Sequence, residues 1–161
     1  MSTKDLTDKT LIEIGAGEST LYWEGRFKKI ISYESNKDYY DYVAQNIKID
    51  STEIHRFDRT ILGKSSFKKH IQIADYILID NDQRIIPRVQ FVKFAKVYKK
   101  ESCSIILDNG TWHIDAYQYL LDHFFVKDFA GLNRDNEYTV TTITETAKDL
   151  KYYKYTRVEE L

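Results

Sequence analysis

Acidic and amide side chains follow two apolar segments that have the length of β-strands. Asp80 comes directly after the first segment, and Asp108 and Asn109 come directly after the second. Ligands of an open parallel sheet bind beyond the carboxyl ends of its strands, so we expect these side chains to share one site. Carboxylate and amide oxygens bind hard cations, and His113 has the chemistry of a general base. Asp and Asn are also common turn and capping residues, which is the alternative interpretation.

A loop with two glycines follows the first apolar segment of the chain. Gly15 and Gly17 flank Ala16, and glycines let the backbone turn tightly and let a ligand approach closely. A helix is predicted to begin near Ser19, where free N–H groups can hold an anionic group. Taken alone, the pattern fits a structural turn as well as a nucleotide site.

Glu34 adds a second sign of nucleotide binding. It closes the second apolar segment, 17 residues after Gly17, and acidic residues at about that separation accept hydrogen bonds from ribose hydroxyls. The alternative is a solvated carboxylate at the end of a strand.

Apolar segments and helical patterns alternate along most of the chain. Strands are predicted at 10–14, 29–33, 53–57, 74–79, 102–107, 124–129 and 138–146, and helices at 20–27, 37–47, 87–99 and 114–124. This alternation predicts an α/β fold with a mostly parallel sheet and helices on both faces. The last two strands are separated only by a polar loop at 130–137, which predicts a C-terminal antiparallel hairpin.

Size and charge restrict the classes of partner. The 161 residues predict a single domain over 1–161, with a core at about 10–146 and a tail at 147–161. A formal net charge of -1 gives no strong signal for nucleic-acid binding. No apolar stretch is long enough to span a bilayer, so we expect a cytoplasmic protein without a membrane partner. Cys103 is predicted to be a buried apolar residue, and an oligomer is possible.

The segment 11–20 resembles motif I of the class I S-adenosylmethionine-dependent methyltransferases, and 31–35 resembles the acidic strand-two motif of that family. The hairpin at the end is similar too, so the resemblance covers about 10–146 and implies a Rossmann-like, seven-stranded sheet with S-adenosylmethionine as cofactor. Asp58 matches a position that contacts the adenine amino group, whereas Ser19 and Thr20 would cap the helix or touch the cofactor carboxylate. The implied cofactor-binding residues are Glu13, Gly15, Ala16, Gly17, Ser19, Thr20, Glu34 and Asp58.

Two further resemblances concern the methyl acceptor. Asp80 with Asp108 and Asn109 resembles the metal site of catechol and caffeoyl-coenzyme A type O-methyltransferases, which implies a divalent cation such as Mg²⁺. The order of motifs in 107–143 resembles a group of small bacterial methyltransferases, some of them encoded near glycan-modification genes. No Asn-Pro-Pro-Tyr or Pro-Cys motif follows the fourth strand, which disfavours methylation of nucleic-acid bases. We therefore expect methyl transfer to an oxygen or nitrogen of a small molecule or glycan, with Asp80, Asp108, Asn109 and His113 as catalytic residues.

Two competing hypotheses remain at this point. The first is an inactive S-adenosylmethionine-binding module that serves as a partner subunit or sensor. The second is an NAD- or nucleotide-binding Rossmann domain, which usually has a third glycine where this chain has Thr20. Arg84 and Arg88 are interpreted as part of a solvated helix face, although each has the chemistry to bind an acidic substrate group.

Overall fold

The computed structural model describes residues 6–132 and 137–145. Its strands are β1 (Thr10–Ile14), β2 (Lys29–Glu34), β3 (Thr52–Arg56), β4 (Tyr76–Ile79), β5 (Ser104–Leu107), β6 (Val126–Leu132) and β7 (Tyr138–Thr144). Its α-helices are α1 (Glu18–Trp23), α2 (Lys37–Asn46), α3 (Ser65–Ile73), α4 (Arg88–Tyr98) and α5 (Ile114–His123). The predicted tail at 147–161 lies outside the described residues.

The seven strands form one sheet in the order β3-β2-β1-β4-β5-β7-β6. The first five strands pair in parallel, whereas β7 is antiparallel to both β5 and β6. The predicted fold class, including the C-terminal hairpin, is confirmed. The strand order reverses between β1 and β4, because β2 and β3 lie on one side of β1 and β5 lies beyond β4. In open α/β sheets such a reversal opens a crevice for ligands.

The central strands are apolar on both faces because helices cover both. Ile12 of β1 belongs to the larger core cluster, to which α3 and α4 contribute Phe67 and Phe91. Leu11, the next residue along β1, belongs to a smaller cluster with Phe27. Since successive side chains of a strand point to opposite faces, the sheet is buried from both sides. Cys103 is buried, as predicted.

Several predicted boundaries differ from the structure by one or two residues, and three larger differences have a local reason. Helix α3 was missed, because its buried face contains only Phe67 and Ile71 among polar residues. Helix α1 ends at Trp23 and not at residue 27, since Gly25 follows with a φ of 70° and ends the helical path. Strand β6 continues to Leu132, three residues into the predicted loop, because the ladder with β7 extends that far.

None of the helices in the described ranges is long and apolar enough to cross a membrane.

Candidate functional site

Gly15 brings the loop after β1 into contact with the end of β4. Its φ is 101°, a conformation that residues with a side chain rarely adopt. Its N–H donates to the carbonyl oxygen of Tyr33 at the end of β2, at 2.8 Å. A Cβ atom at this position would lie 2.5 Å from the backbone carbonyl carbon of Asp80. The predicted glycine loop therefore lies at the reversal of strand order, fitted between the ends of β2 and β4.

Gly17 differs from Gly15, because the space beside it is open. A Cβ atom at Gly17 would meet no other atom within 4 Å, and its φ of -180° is extended backbone that any residue adopts. The packing of the described chain therefore does not require a glycine here. The open space beside Gly17 is large enough for part of a ligand to approach the loop.

Glu13 braces the glycine loop from within the sheet. Its carboxylate is fully buried and accepts hydrogen bonds from the hydroxyls of Ser19 and Thr20 at 2.5 Å and of Ser32 at 2.6 Å. Burial raises the pKa of this carboxyl, and the three hydroxyl donors oppose the rise. The Thr20 hydroxyl also accepts from the N–H of Gly17 at 3.2 Å. Ser19 and Thr20 thus hold the loop in place, and their contact with a cofactor remains a prediction.

Replacing Thr20 with valine tests this bracing. The change removes a buried donor to Glu13 and the acceptor of the Gly17 N–H, so we expect the free energy of unfolding to fall by about 1–3 kcal/mol. Urea denaturation measures the loss. Ser19→Ala is the matched control, because Ser19 donates to the same carboxylate from a half-buried position and its loss should be smaller. A Thr20→Val variant as stable as the parent would contradict the bracing role.

Glu34 lies beside the glycine loop, as the sequence predicted. The side chain is 7% exposed, and its carboxylate accepts from the N–H of Asn36 at 2.6 Å. Burial raises the pKa of this carboxyl, against backbone hydrogen bonds from Asn36, Ser35 and Ala16. The bond to Ala16 joins the end of β2 directly to the loop after β1.

Asp58 follows β3 and is exposed. Its Oδ1 accepts from the backbone N–H of Thr60 at 2.8 Å and from the Thr60 hydroxyl at 2.5 Å. These bonds lower the pKa of the Asp58 carboxyl. The structure shows a turn role for Asp58, and the predicted contact with adenine remains a prediction.

Arg88 is a site residue that the sequence interpretation placed wrongly. Its side chain is 7% exposed and forms a 2.9 Å ion pair with Asp80, so it does not belong to a solvated helix face. Arg84 lies in the turn before α4 and is solvated, with 86% exposure and an ion pair to Asp82. The difference arises because α4 begins at Arg88, directly under the ends of β4 and β5.

The Asp80 carboxylate lies among other charges at the end of β4. Burial raises its pKa to about 6, and the ion pair with Arg88 opposes that rise. The neighbouring carboxylates of Asp108 and Glu34 raise the pKa further. The structure therefore brings together Asp80, Asp108 and Glu34, which come from the ends of three different strands.

Hydroxyls of β7 hold the two predicted site residues that follow β5. Asp108 Oδ1 accepts from the hydroxyl of Thr141 at 2.7 Å, and Asn109 Oδ1 accepts from that of Thr139 at 3.1 Å. Asn109 adopts a left-handed conformation with a φ of 50°. Thr139 and Thr141 were predicted only as strand residues, and no local sequence signal shows that β7 lies next to β5.

The predicted cation site gains no support from these contacts. Arg88 already neutralises Asp80, and the threonine hydroxyls occupy one oxygen each of Asp108 and Asn109. Among residues 6–132 and 137–145, no cluster of three or more His, Cys, Asp or Glu side chains is arranged to hold a metal ion. The donor set does not fit a divalent cation well, so we assign it no step in the reaction.

His113 is buried at the start of α5, with 8% exposure. Its Nδ1 lies 3.1 Å from the Oε1 atom of Gln83, and an amide oxygen at that distance assigns the ring proton to Nδ1. Burial, followed by the nearby Arg88 charge, lowers the pKa of the imidazole. His113 is therefore neutral at pH 7, with Nε2 able to accept a proton.

Structure comparison places the chain among proteins of one fold. A precorrin-6y C5,15-methyltransferase from Geobacter metallireducens is 14% identical, with a TM-score of 0.67 over 87% of this chain and 81% of that one. An O-methyltransferase from Bacillus cereus, solved in complex with SAH (S-adenosylhomocysteine), is 13% identical, with a TM-score of 0.63 over 85% and 74%. A tRNA methyltransferase from B. subtilis is 14% identical, with a TM-score of 0.62 over 92% and 64%.

Sequence comparison adds nothing to this likeness. No protein-family model matches the chain, and no curated protein matches it either. The resemblance to the class I S-adenosylmethionine-dependent methyltransferases is confirmed for the fold.

Proposed function

We propose that this protein is an S-adenosylmethionine-dependent methyltransferase that acts on an oxygen or nitrogen of a small molecule or glycan. The observation that carries the proposal is the meeting of Glu34 with the glycine loop at the reversal of strand order. A carboxylate there accepts hydrogen bonds from ribose hydroxyls, and a glycine loop admits the rest of a nucleoside-type ligand. The solved O-methyltransferase of the same fold holds SAH, which supports the choice of ligand.

The residues fit that ligand in two respects. The space beside Gly17 is open, so the loop leaves room for the methionine part. The fully buried Glu13 holds the loop through three hydroxyl donors, and the backbone N–H of Ala16 bonds to Glu34. This bond places the Glu34 carboxylate at the loop, which is where the ribose would bind.

The residues after β4 and β5 are the candidates for the methyl-transfer chemistry. S-adenosylmethionine supplies a methyl group on a positively charged sulfur. A lone pair of the acceptor forms the new bond to that carbon, while the carbon–sulfur bond breaks and its electron pair stays on sulfur. We assign Asp80, Asp108 and Asn109 to orienting the acceptor, and His113 Nε2 to taking its proton. The neutral state of His113 at pH 7 supports this role.

One set of contacts favours the second candidate, an inactive cofactor-binding module. Arg88, Thr141 and Thr139 already hold Asp80, Asp108 and Asn109, as they would in a purely structural network. An NAD-binding domain is less well supported, because Thr20 is buried and bonded to Glu13 at the position of the third glycine.

Titration calorimetry with SAH tests the cofactor. We expect the protein to bind SAH and not NAD. The control variant is Gly17→Arg, which should abolish SAH binding at an unchanged melting temperature, because the open space beside Gly17 admits a side chain. Binding of NAD without binding of SAH would contradict the proposal. A second titration with Mg²⁺ addresses the cation, since tighter SAH binding would support the predicted metal role and an unchanged affinity would oppose it.

The same preparation separates an enzyme from an inactive module. SAH formation from S-adenosylmethionine is measured with phenolic, amine and glycan acceptors, and the active acceptor is then tested with His113→Gln. An enzyme that uses His113 should lose most of its turnover while it still binds SAH. SAH binding without turnover on any acceptor would favour the inactive module.

A further inference from the structure

Arg88 places a buried guanidinium between the carboxyl ends of β4 and β5, although no step of the proposed reaction uses it. It donates to the backbone carbonyl of Asn81 at 3.0 Å and to that of Asp108 at 2.7 Å, and it lies 3.4 Å from that of Ile79. It also donates to Asp80 Oδ1 at 2.9 Å. Because backbone carbonyls of both strand ends fix the planar guanidinium, the guanidinium in turn fixes the direction of the Asp80 carboxylate.

The ion pair leaves one oxygen of Asp80 available. Arg88 bonds to Oδ1, and within the described parts of the chain Oδ2 accepts no hydrogen bond. The Asp80 side chain is 37% exposed, whereas Arg88 is 7% exposed. Gly15 packs directly against the Asp80 backbone, so Asp80 lies next to the glycine loop.

The charges around Asp80 are predominantly negative. Asp108 and Glu34 act on it from β5 and β2, and the Asp80 charge in turn raises the pKa of Glu13 on β1. Arg88 from α4 is the cation that offsets them, while His113 nearby is neutral at pH 7 because its pKa is lowered. An opening with this excess of negative charge favours a ligand group that carries a positive charge.

We infer that Arg88 is a positioning residue that holds the ionised Asp80 carboxylate toward the positive centre of the methyl donor. The inference rests on the proposed function, because it takes S-adenosylmethionine as the ligand. The donor has a positive sulfur and the product SAH has a neutral one. The Asp80–Arg88 pair therefore favours the donor over the product.

Two ligands that differ in this charge provide the test. Sinefungin carries a protonated amine in place of the sulfonium methyl, and SAH carries no charge there. The ratio of their dissociation constants, measured by calorimetry from pH 5 to pH 8, reports the preference for a positive centre. We expect the wild-type protein to prefer sinefungin by about tenfold or more at pH 8. The preference should fall as the pH is lowered through about 6, where Asp80 takes up a proton.

Arg88 variants separate positioning from a purely structural role. Arg88→Met removes the cation that lowers the Asp80 pKa, so the pH at which the preference is lost should rise by about one unit or more. Arg88→Lys keeps the positive charge but loses the planar fork, so the pH midpoint should stay close to the wild type while the preference at pH 8 falls. Arg84→Met is the matched control, because it removes an exposed arginine from the neighbouring turn and should leave the ratio unchanged.

An unchanged pH midpoint in Arg88→Met would overturn the inference. If that variant does not fold, the ratio of dissociation constants is measured for Asp80→Asn instead. Loss of the sinefungin preference with SAH binding retained supports the inference, and a retained preference overturns it. Failure of the wild-type protein to bind either ligand would instead contradict the proposed function, and this inference with it.

Discussion

Replacing Gly15 with alanine is expected to lower the free energy of unfolding by about 2–5 kcal/mol. Two costs combine, because the φ of 101° is strained for any residue with a side chain and the new Cβ would lie 2.5 Å from the Asp80 backbone. The contact is with backbone, so no side-chain movement relieves it. Urea denaturation measures the loss.

Gly17→Ala is the matched control for this experiment. The two glycines are two residues apart in one loop, but a methyl group at Gly17 meets no atom within 4 Å. We expect Gly17→Ala to leave the stability nearly unchanged. Equal losses in the two variants would show that the loop does not pack against β4 as described.

Replacing Glu34 with alanine is expected to weaken SAH binding by about 10- to 100-fold, which is the effect of losing hydrogen bonds to a charged group. The fold should survive, because Asn36 caps α2 through its own side chain, which accepts from the N–H of Asp38 and Tyr39. Calorimetry with SAH measures the change, and the melting temperature checks the fold.

Glu53→Ala is the control for Glu34. Glu53 is a glutamate of the adjacent strand β3 and pairs with Lys29 at 41% exposure, away from the glycine loop. Its removal should leave SAH affinity unchanged. Full affinity in Glu34→Ala would rule out the ribose role and leave Glu34 as a structural residue of the loop.

Local patterns were enough to predict the strands of the sheet and the glycine loop. Strands β1, β2, β4 and β5 are mainly apolar segments, and the loop glycines and Glu34 lie at strand ends whose positions follow from those segments. Their meeting in space required only that β1 and β2 be parallel neighbours, which the alternation of strands and helices already implied.

The contacts of the candidate acceptor site were not predictable in the same way. Arg88 looks like an ordinary helix residue, and its burial depends on where α4 begins beneath β4 and β5. Thr139 and Thr141 reach Asn109 and Asp108 only because β7 inserts beside β5. Both features depend on contacts between segments that are distant in the sequence, and a short window of sequence does not contain both segments.

The position of β7 also sets the order in which the molecule can be completed during synthesis. In the described chain β6 pairs only with β7, so it cannot join the sheet until residues 138–144 have left the ribosome. Until then β5 is an open edge, and Asp108 and Asn109 lack their hydroxyl partners. Pairing over such a separation closes slowly. The glycine loop can therefore form early, whereas the contacts of Asp108 and Asn109 with β7 are the last part of the described sheet to form.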